Sequence, residues 1–259
     1  MSEIFKAITK AGLGLGELTR EEPRLPMLDD EGPPELPRFD ERTESVERIK
    51  DRALRVVLKP ETVFAEQLRV IRTKVHTLSQ TAPFECFGVV SASEGEGKTT
   101  VAVGLAAALA SESTERVLLI EANLRRPVLE KRLGLEPAAG LTEWLRGNVD
   151  TVILSRLEPL GFTLLRAGGV AEKPSDLLTG TRMGELMQRC RDRYDHVILD
   201  CNALTPVADA VVLQEQVDGY LLVVRSRFAA RDTVQRSLTH LKRGTVKGVV
   251  FNAHRRLLR

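Results

Sequence analysis

The chain has 259 residues, 42% of them hydrophobic, enough for one large α/β domain and a smaller segment beside it. A formal net charge of +2 gives no electrostatic case for nucleic acid as a partner, and an aromatic content of 4% leaves no base-stacking platform. The three scattered cysteines, Cys86, Cys190 and Cys201, form no CxxC pair and imply a reduced, cytoplasmic setting. No run approaches the length of a transmembrane helix, and no signal-like apolar stretch opens the chain.

Residues 1–52 differ in composition from the rest. Ile4, Phe5 and Ile8, with Leu13 further on, predict a short amphipathic helix. Glu21 to Asp40 is rich in proline and acid, cannot build a core, and reads as a linker. Gly12, Gly14 and Gly16 follow no strand, so they make a flexible joint and not a phosphate loop. The expected organisation is a largely disordered segment over 1–52 and a folded domain over 53–259.

Within that domain, Phe64, Leu68, Ile71, Val75 and Leu78 alternate spacings of four and three, which predicts a helix. Glu66, Arg69 and Arg72 lie on its opposite face. Phe87 to Val90 then predicts a buried strand, and Val101 to Leu109 a helix. The loop between them carries Ala92, four residues, then Gly97, Lys98 and Thr99, which is the phosphate-binding Walker A pattern. Gly95 and Gly97 let the backbone curl so that successive N–H groups face phosphate oxygens, and the following helix adds its positive end. Lys98 is placed to reach the β- and γ-phosphates and Thr99 to hold Mg2+. Glu94, Gly95, Glu96, Gly97, Lys98, Thr99 and Thr100 are therefore the expected nucleotide-binding residues, with ATP and Mg2+ as the cofactors.

Further strands are expected at RVLLIEA (116–122), FTLLRAGG (162–169), HVILD (196–200), GYLLVVRS and KGVVFNA. Helices are expected around Trp144 (140–147), over Leu177 to Arg193 and over Ala230 to Arg243. This alternation predicts a P-loop NTPase fold, a mostly parallel central sheet with helices on both faces. Asp200 ends a wholly apolar strand, where a carboxylate is costly without a role, so Mg2+ held through water is its expected partner; Glu121 reads similarly. Arg125 and Arg126 either contact phosphate or cap their loop. Cys201 reads as a small packed residue, and His76, His196, His240 and His254 show no metal-ligand spacing.

Several stretches together resemble one family. They are GEGKTT (Gly95–Thr100), the E-x-x-R-x-x-R helix of Glu66, Arg69 and Arg72, LLIEANLRRP (Leu118–Pro127), LLRAGGVAEKPSDLL (164–178), Asp200 and the terminal GVVFNA. From about Glu61 to Asn252 the chain resembles the cytoplasmic tyrosine autokinases of bacterial polysaccharide export, which work beside a membrane chain-length regulator. That resemblance implies Lys98, Glu121, Asn123 and Asp200 as catalytic residues and Thr99, Glu121 and Asp200 as metal-binding residues. It implies Asn252 at the adenine, and Glu66, Arg69 and Arg72 in a homo-oligomer interface. It also implies a membrane-embedded polysaccharide co-polymerase as partner, and a peripheral position at the inner face of the plasma membrane. Ser93, where chromosome- and division-site-positioning ATPases carry an extra lysine, argues against that sister group.

The sequence departs from the pattern at its chemical centre. Glu121 and Asn123 replace two aspartates, moving one carboxylate outward and removing one charge. Cys201, Asn202 and Ala203 replace a T-P-P tail. The terminal tyrosine cluster is missing, and the two tyrosines present, Tyr194 and Tyr220, read as structural. Two functions follow: phosphoryl transfer to tyrosines of partner proteins, or an ATP-binding assembly switch with little transfer.

Overall fold

The computed structural model describes residues 37–253 apart from 47, 48, 50, 58, 60, 112, 113, 207 and 208. The expected N-terminal helix and most of the linker lie outside them. In chain order come β1 (Arg38–Ser45), α1 (Val63–Thr81), β2 (Cys86–Ser91), α2 (Lys98–Ala110), β3 (Val117–Glu121), α3 (Leu129–Leu133) and α4 (Leu141–Leu145). They are followed by β4 (Thr151–Glu158), β5 (Phe162–Leu165), α5 (Pro174–Thr179), α6 (Thr181–Arg193), β6 (His196–Asp200), α7 (Asp209–Val212), β7 (Gly219–Arg225), α8 (Arg231–Leu238) and β8 (Val246–Asn252). Among the described residues no helix is long and apolar enough to cross a membrane.

The strands form one sheet in the order β1-β4-β5-β3-β6-β2-β7-β8. Every pairing is parallel except β4 with β5, so six parallel strands carry an antiparallel pair on one edge. Central strands are apolar at nearly every position because both faces are covered. Phe87 and Val89, Val117 and Leu119, and Ile198 enter one core; Cys86 and Val90, Leu118 and Ile120, Val197 and Leu199 enter the other. The first core is roofed by α2 and, outside it, α1; Gly104 of α2 leaves room for Leu68, whose Cδ1 stands 2.6 Å from where a Cβ would be.

Two strands depart from the expected set. β4 reads TVILSRLE, and β1 reads RFDERTES, a charged sequence inside the stretch expected to belong to the N-terminal segment. Tertiary pairing makes β1 a strand, in register with β4 from Arg38↔Thr151 to Ser45↔Glu158. Its charges suit an edge and have partners: Glu41 receives Arg193, and Glu44 receives Arg166. Arg166 is itself fully buried, and it also donates to Ser155 Oγ at 2.6 Å and to the Glu136 carbonyl at 2.7 Å. The folded sheet thus begins earlier than residue 53. The helix expected over Leu177 to Arg193 is two helices, because Gly180 is extended (φ −66°, ψ 158°).

At Gly88 the ring of Tyr220 occupies the space a side chain would need, with Cε1 2.3 Å and Cys201 Sγ 3.2 Å from an added Cβ. Tyr220 is wholly buried and its hydroxyl donates to the Ala210 carbonyl, so the ring has nowhere to go. Gly88→Ala should therefore lower stability by about 1–3 kcal/mol, the usual cost of overpacking a core. Urea unfolding checks this, and an unshifted midpoint would show that the core yields.

Candidate functional site

All of the expected site residues except the Glu66, Arg69 and Arg72 group fall at the carboxyl ends of the parallel strands, where α/β sheets form their ligand crevices. Strand β2 delivers the loop Ala92–Gly97, and α2 begins at Lys98. Gly95 (φ 82°) and Gly97 (φ 97°) take the left-handed conformation that side chains resist. Gly97 has a second reason: a Cβ there would stand 2.1 Å from Asn252 Nδ2.

The loop is braced from several sides. Glu96 is completely buried, and its carboxylate accepts the N–H groups of Ser93 (2.7 Å) and Arg225 (3.0 Å). Its side chain therefore faces the fold, and only its backbone remains for a ligand. Asn252, expected at adenine, donates through Nδ2 to the Glu96 carbonyl at 2.8 Å. Arg225 donates to the Gly95 carbonyl at 3.1 Å, Arg126 to the Glu94 carboxylate at 2.6 Å and Arg132 to Thr100 Oγ1 at 3.2 Å. Sequence reasoning missed Arg225 and Arg132, which lie 129 and 32 residues from their partners, and no short-range pattern carries such contacts.

Asp200 ends β6 beside the start of α2. It is almost fully buried, hydrogen-bonded to Thr99, and its Oδ1 has no hydrogen-bond partner among the described residues. Burial pushes its carboxyl up from the ordinary 3.8 to about 7; the Thr99 hydrogen bond opposes the rise, and the neighbouring Glu121 adds to it. A hydroxyl and a carboxylate with an unused oxygen beside a phosphate loop are hard oxygen donors of the kind Mg2+ takes, so these residues fit that ion. When bound, it would neutralise phosphate charge.

Glu121 is paired with Asp200 in the β3–β6 register, yet its environment differs. Its Oε1 accepts N–H from Val128 and Leu129 (2.7 Å), its Oε2 from Ala167 (3.2 Å). Both oxygens are thus engaged in fixing the start of α3 and the turn after β5. Burial raises its pKa, and these amides offset part of the rise. Asn123 accepts the Arg126 N–H at 3.3 Å and holds the following loop. Arg125 makes a two-pronged pair with buried Asp209 (2.6 and 3.0 Å), which also receives Ser175 and Asn202. Arg125 and Arg126 thus each pair with a carboxylate, Asp209 and Glu94 respectively.

Away from the crevice, Glu66 and Arg69 are ion-paired on the outer face of α1. Arg72 donates to the Ala108 carbonyl and Ser111 Oγ, both at 3.1 Å, closing the end of α2. All three cysteines are buried free thiols, and burial pushes Cys86 up to about 12, which fits packing and not nucleophilic work.

The buried Asp200 carboxyl makes a stability prediction for the protein without ligands. A raised folded pKa means stability is fully present below 3.8 and is lost as pH rises through about 7. The difference between those values amounts to at most about 4 kcal/mol. Asp200→Asn cannot ionise, so at pH above 7 it should unfold at higher temperature than the wild type, with the gap narrowing as pH falls toward the ordinary carboxylate range. A variant that melts lower at alkaline pH would contradict this.

Comparison with known proteins agrees with the geometry. Residues 87–256 match the CobQ/CobB/MinD/ParA nucleotide binding domain family. The tyrosine-protein kinase wzc of Salmonella typhi is 30% identical over 211 residues, which is 80% of this chain and 29% of that protein, so the chain spans under a third of that relative. The tyrosine-protein kinase YwqD of Bacillus subtilis is 34% identical over 170 residues, covering 65% of this chain and 71% of YwqD. The kinase domain of the Escherichia coli tyrosine kinase ETK superposes with a TM-score of 0.72 at 29% identity, over 82% of this chain and 86% of that one. With its phosphate loop, paired acidic strands and these relatives, the chain belongs to the CobQ/CobB/MinD/ParA nucleotide-binding family and, within it, to the bacterial tyrosine-protein kinases.

Proposed function

We propose that the chain binds Mg·ATP at its phosphate loop and works as a tyrosine-kinase-type domain on another protein, within the machinery that makes and exports a bacterial polysaccharide. The observation that carries this reading is the unpartnered Asp200 Oδ1 set beside Thr99 at the start of α2. Backbone N–H groups at the head of α2 hold the phosphates, and Lys98 balances charge that builds on the transferred group. Asp200 and Thr99 would hold Mg2+, which would supply positive charge to offset that of the phosphates. The acceptor is assigned to a separate protein because the two tyrosines, Tyr194 (6% exposed) and Tyr220 (0%), are both packed inside. A membrane-embedded chain-length regulator is the proposed partner, and it would bring the chain to the inner face of the plasma membrane.

A second reading, an ATP-binding switch with little transfer, is favoured by one observation: Glu121 spends both oxygens on backbone amides. One experiment separates the two. Wild type, Lys98→Met and the double variant Glu121→Asp, Asn123→Asp are incubated with labelled ATP, Mg2+ and a tyrosine-containing peptide, and nucleotide affinity is measured alongside. Lys98→Met should bind at least about tenfold more weakly, roughly 1.4 kcal/mol; unchanged affinity would sink the nucleotide assignment. Brisk transfer by the wild type supports the kinase reading. Transfer that emerges only in the double variant supports the switch.

We also propose that the Glu66 and Arg69 face of α1 builds a homo-oligomer. Arg72 is left out of the test because it closes α2 internally. Light scattering on Glu66→Ala, Arg69→Ala should give smaller particles than wild type. Identical particle sizes would reduce the pair to a solvated face.

A further inference from the structure

At the far end of the sheet from the phosphate loop, three side chains converge that are distant in sequence. His76 lies on α1, Glu115 in the turn before β3, and His196 opens β6. One ligand-type atom from each lies within 4.8 Å of the other two. His76 Nδ1 is 3.6 Å from Glu115 Oε1, and His196 Nε2 is 3.5 Å from Glu115 Oε2. The two rings meet edge-on with centroids 5.6 Å apart.

The contacts to Glu115 hold the trio together but leave part of its hydrogen-bonding capacity unused. His76 Nε2, Glu115 Oε2 and His196 Nδ1 are all buried and have no hydrogen-bond partner among the described residues. The two ring nitrogens are the ones that do not face Glu115, whereas Glu115 Oε2 lies between the rings, and a buried carboxylate oxygen without a hydrogen bond is costly unless a cation takes it. The trio also has an entrance: His196 is 5% exposed in its side chain, but Glu115 keeps 21% and His76 30%. A small ion and a water therefore have a route in.

We propose that His76, Glu115 and His196 form a binding site for one zinc-class divalent transition-metal ion, separate from the Mg2+ site at the phosphate loop. Two imidazoles and one carboxylate are a donor set that zinc takes with a water in the fourth position. The bond lengths fit. Tetrahedral ligands about 2.0–2.1 Å from zinc stand roughly 3.3 Å from one another, close to both histidine–carboxylate distances. The remaining gap closes by at most roughly 1.5 Å, within reach of a small side-chain rotation. Mg2+ prefers oxygen and would not take this set, just as zinc-class ions are not what the Thr99 and Asp200 oxygens suit. The site lies about 13 Å from the nucleotide crevice, the length of the four steps of β6 from His196 to Asp200. An ion there would tie α1, which carries Glu66 and Arg69, to the rim of β3 and β6.

The test uses the full chain, untagged and freed of metal by a chelator. Co2+ is titrated first, because four-coordinate Co2+ gives intense visible bands that an octahedral aquo ion lacks; Zn2+ is then added to displace it, with millimolar Mg2+ present throughout. One equivalent of Co2+ should produce the bands, and Zn2+ should abolish them. His76→Gln, at the most exposed ligand, and Glu115→Gln should each weaken Zn2+ binding by at least about tenfold, given that loss of even an outer partner costs that much. His196→Gln is expected to do the same, but it is buried, so the other two variants decide the matter. Absence of the bands at one equivalent overturns the proposal. So does Zn2+ affinity unchanged in His76→Gln and Glu115→Gln, since the ion would then sit at other residues.

Discussion

The candidate site depends on two carboxylates placed side by side in a buried parallel sheet. Register alone does this: β3 and β6 run together, and Glu121 pairs with Asp200. Two such groups cannot both be left bare in a low-dielectric interior, because each raises the proton affinity of the other. The fold resolves them differently. Glu121 receives three backbone N–H groups and becomes a rivet between α3 and the turn after β5. Asp200 receives Thr99 and keeps one oxygen unused. The asymmetry commits both oxygens of one carboxylate to structure and leaves one oxygen of the other without a hydrogen-bond partner among the described residues. An acid at position 121 one methylene longer than the related kinase pattern has the reach to make this rivet.

The phosphate loop and the central strands were legible in the sequence because their signals are local. A short apolar run, a glycine-bearing loop of fixed length and an alanine-rich helix are contiguous, and each constrains the next. Asp200 was legible for a related reason: a carboxylate at the end of HVILD contradicts its surroundings. The edge of the sheet was not. RFDERTES carries no alternation of apolar and polar residues, and only the pairing with β4 and the ion pairs to Arg166 and Arg193 make it a strand. Glu121 was placed correctly in the chain, but the partners that absorb its oxygens come from residues 7, 8 and 46 positions away. The clustering of His76 and His196 around Glu115 was out of reach for a different reason: the two histidines belong to a helix and a strand 120 positions apart, and no short-range spacing joins them.

Arg166 shows how the antiparallel edge is secured. A guanidinium with 1% exposure has to find acceptors locally, and it finds them on three elements: Glu44 of β1, Ser155 of β4 and the carbonyl of Glu136 beyond α3. Its planar fork suits such divergent contacts better than a lysine could. Removing one partner would leave charge buried and uncompensated, so this corner is held by mutual dependence as well as by the apolar residues of β4 and β5. The same corner carries Ala167, whose N–H completes the Glu121 rivet, and so the edge strands reach the crevice through one residue step.

Glu96 gives the phosphate loop a thermodynamic character of its own. A glycine-containing loop at a ligand site ordinarily loses conformational freedom when the ligand arrives, and that loss weakens binding. Here the buried carboxylate closes the loop on itself through Ser93 and ties it to β7, while Asn252 ties it to the end of β8. The freedom is therefore surrendered once, when the chain folds, and the receptor for a phosphate group is rigid beforehand. Affinity at such a loop becomes a property of the β7–β8 edge as much as of the loop residues, and a partner that bends that edge would retune nucleotide binding without touching the nucleotide.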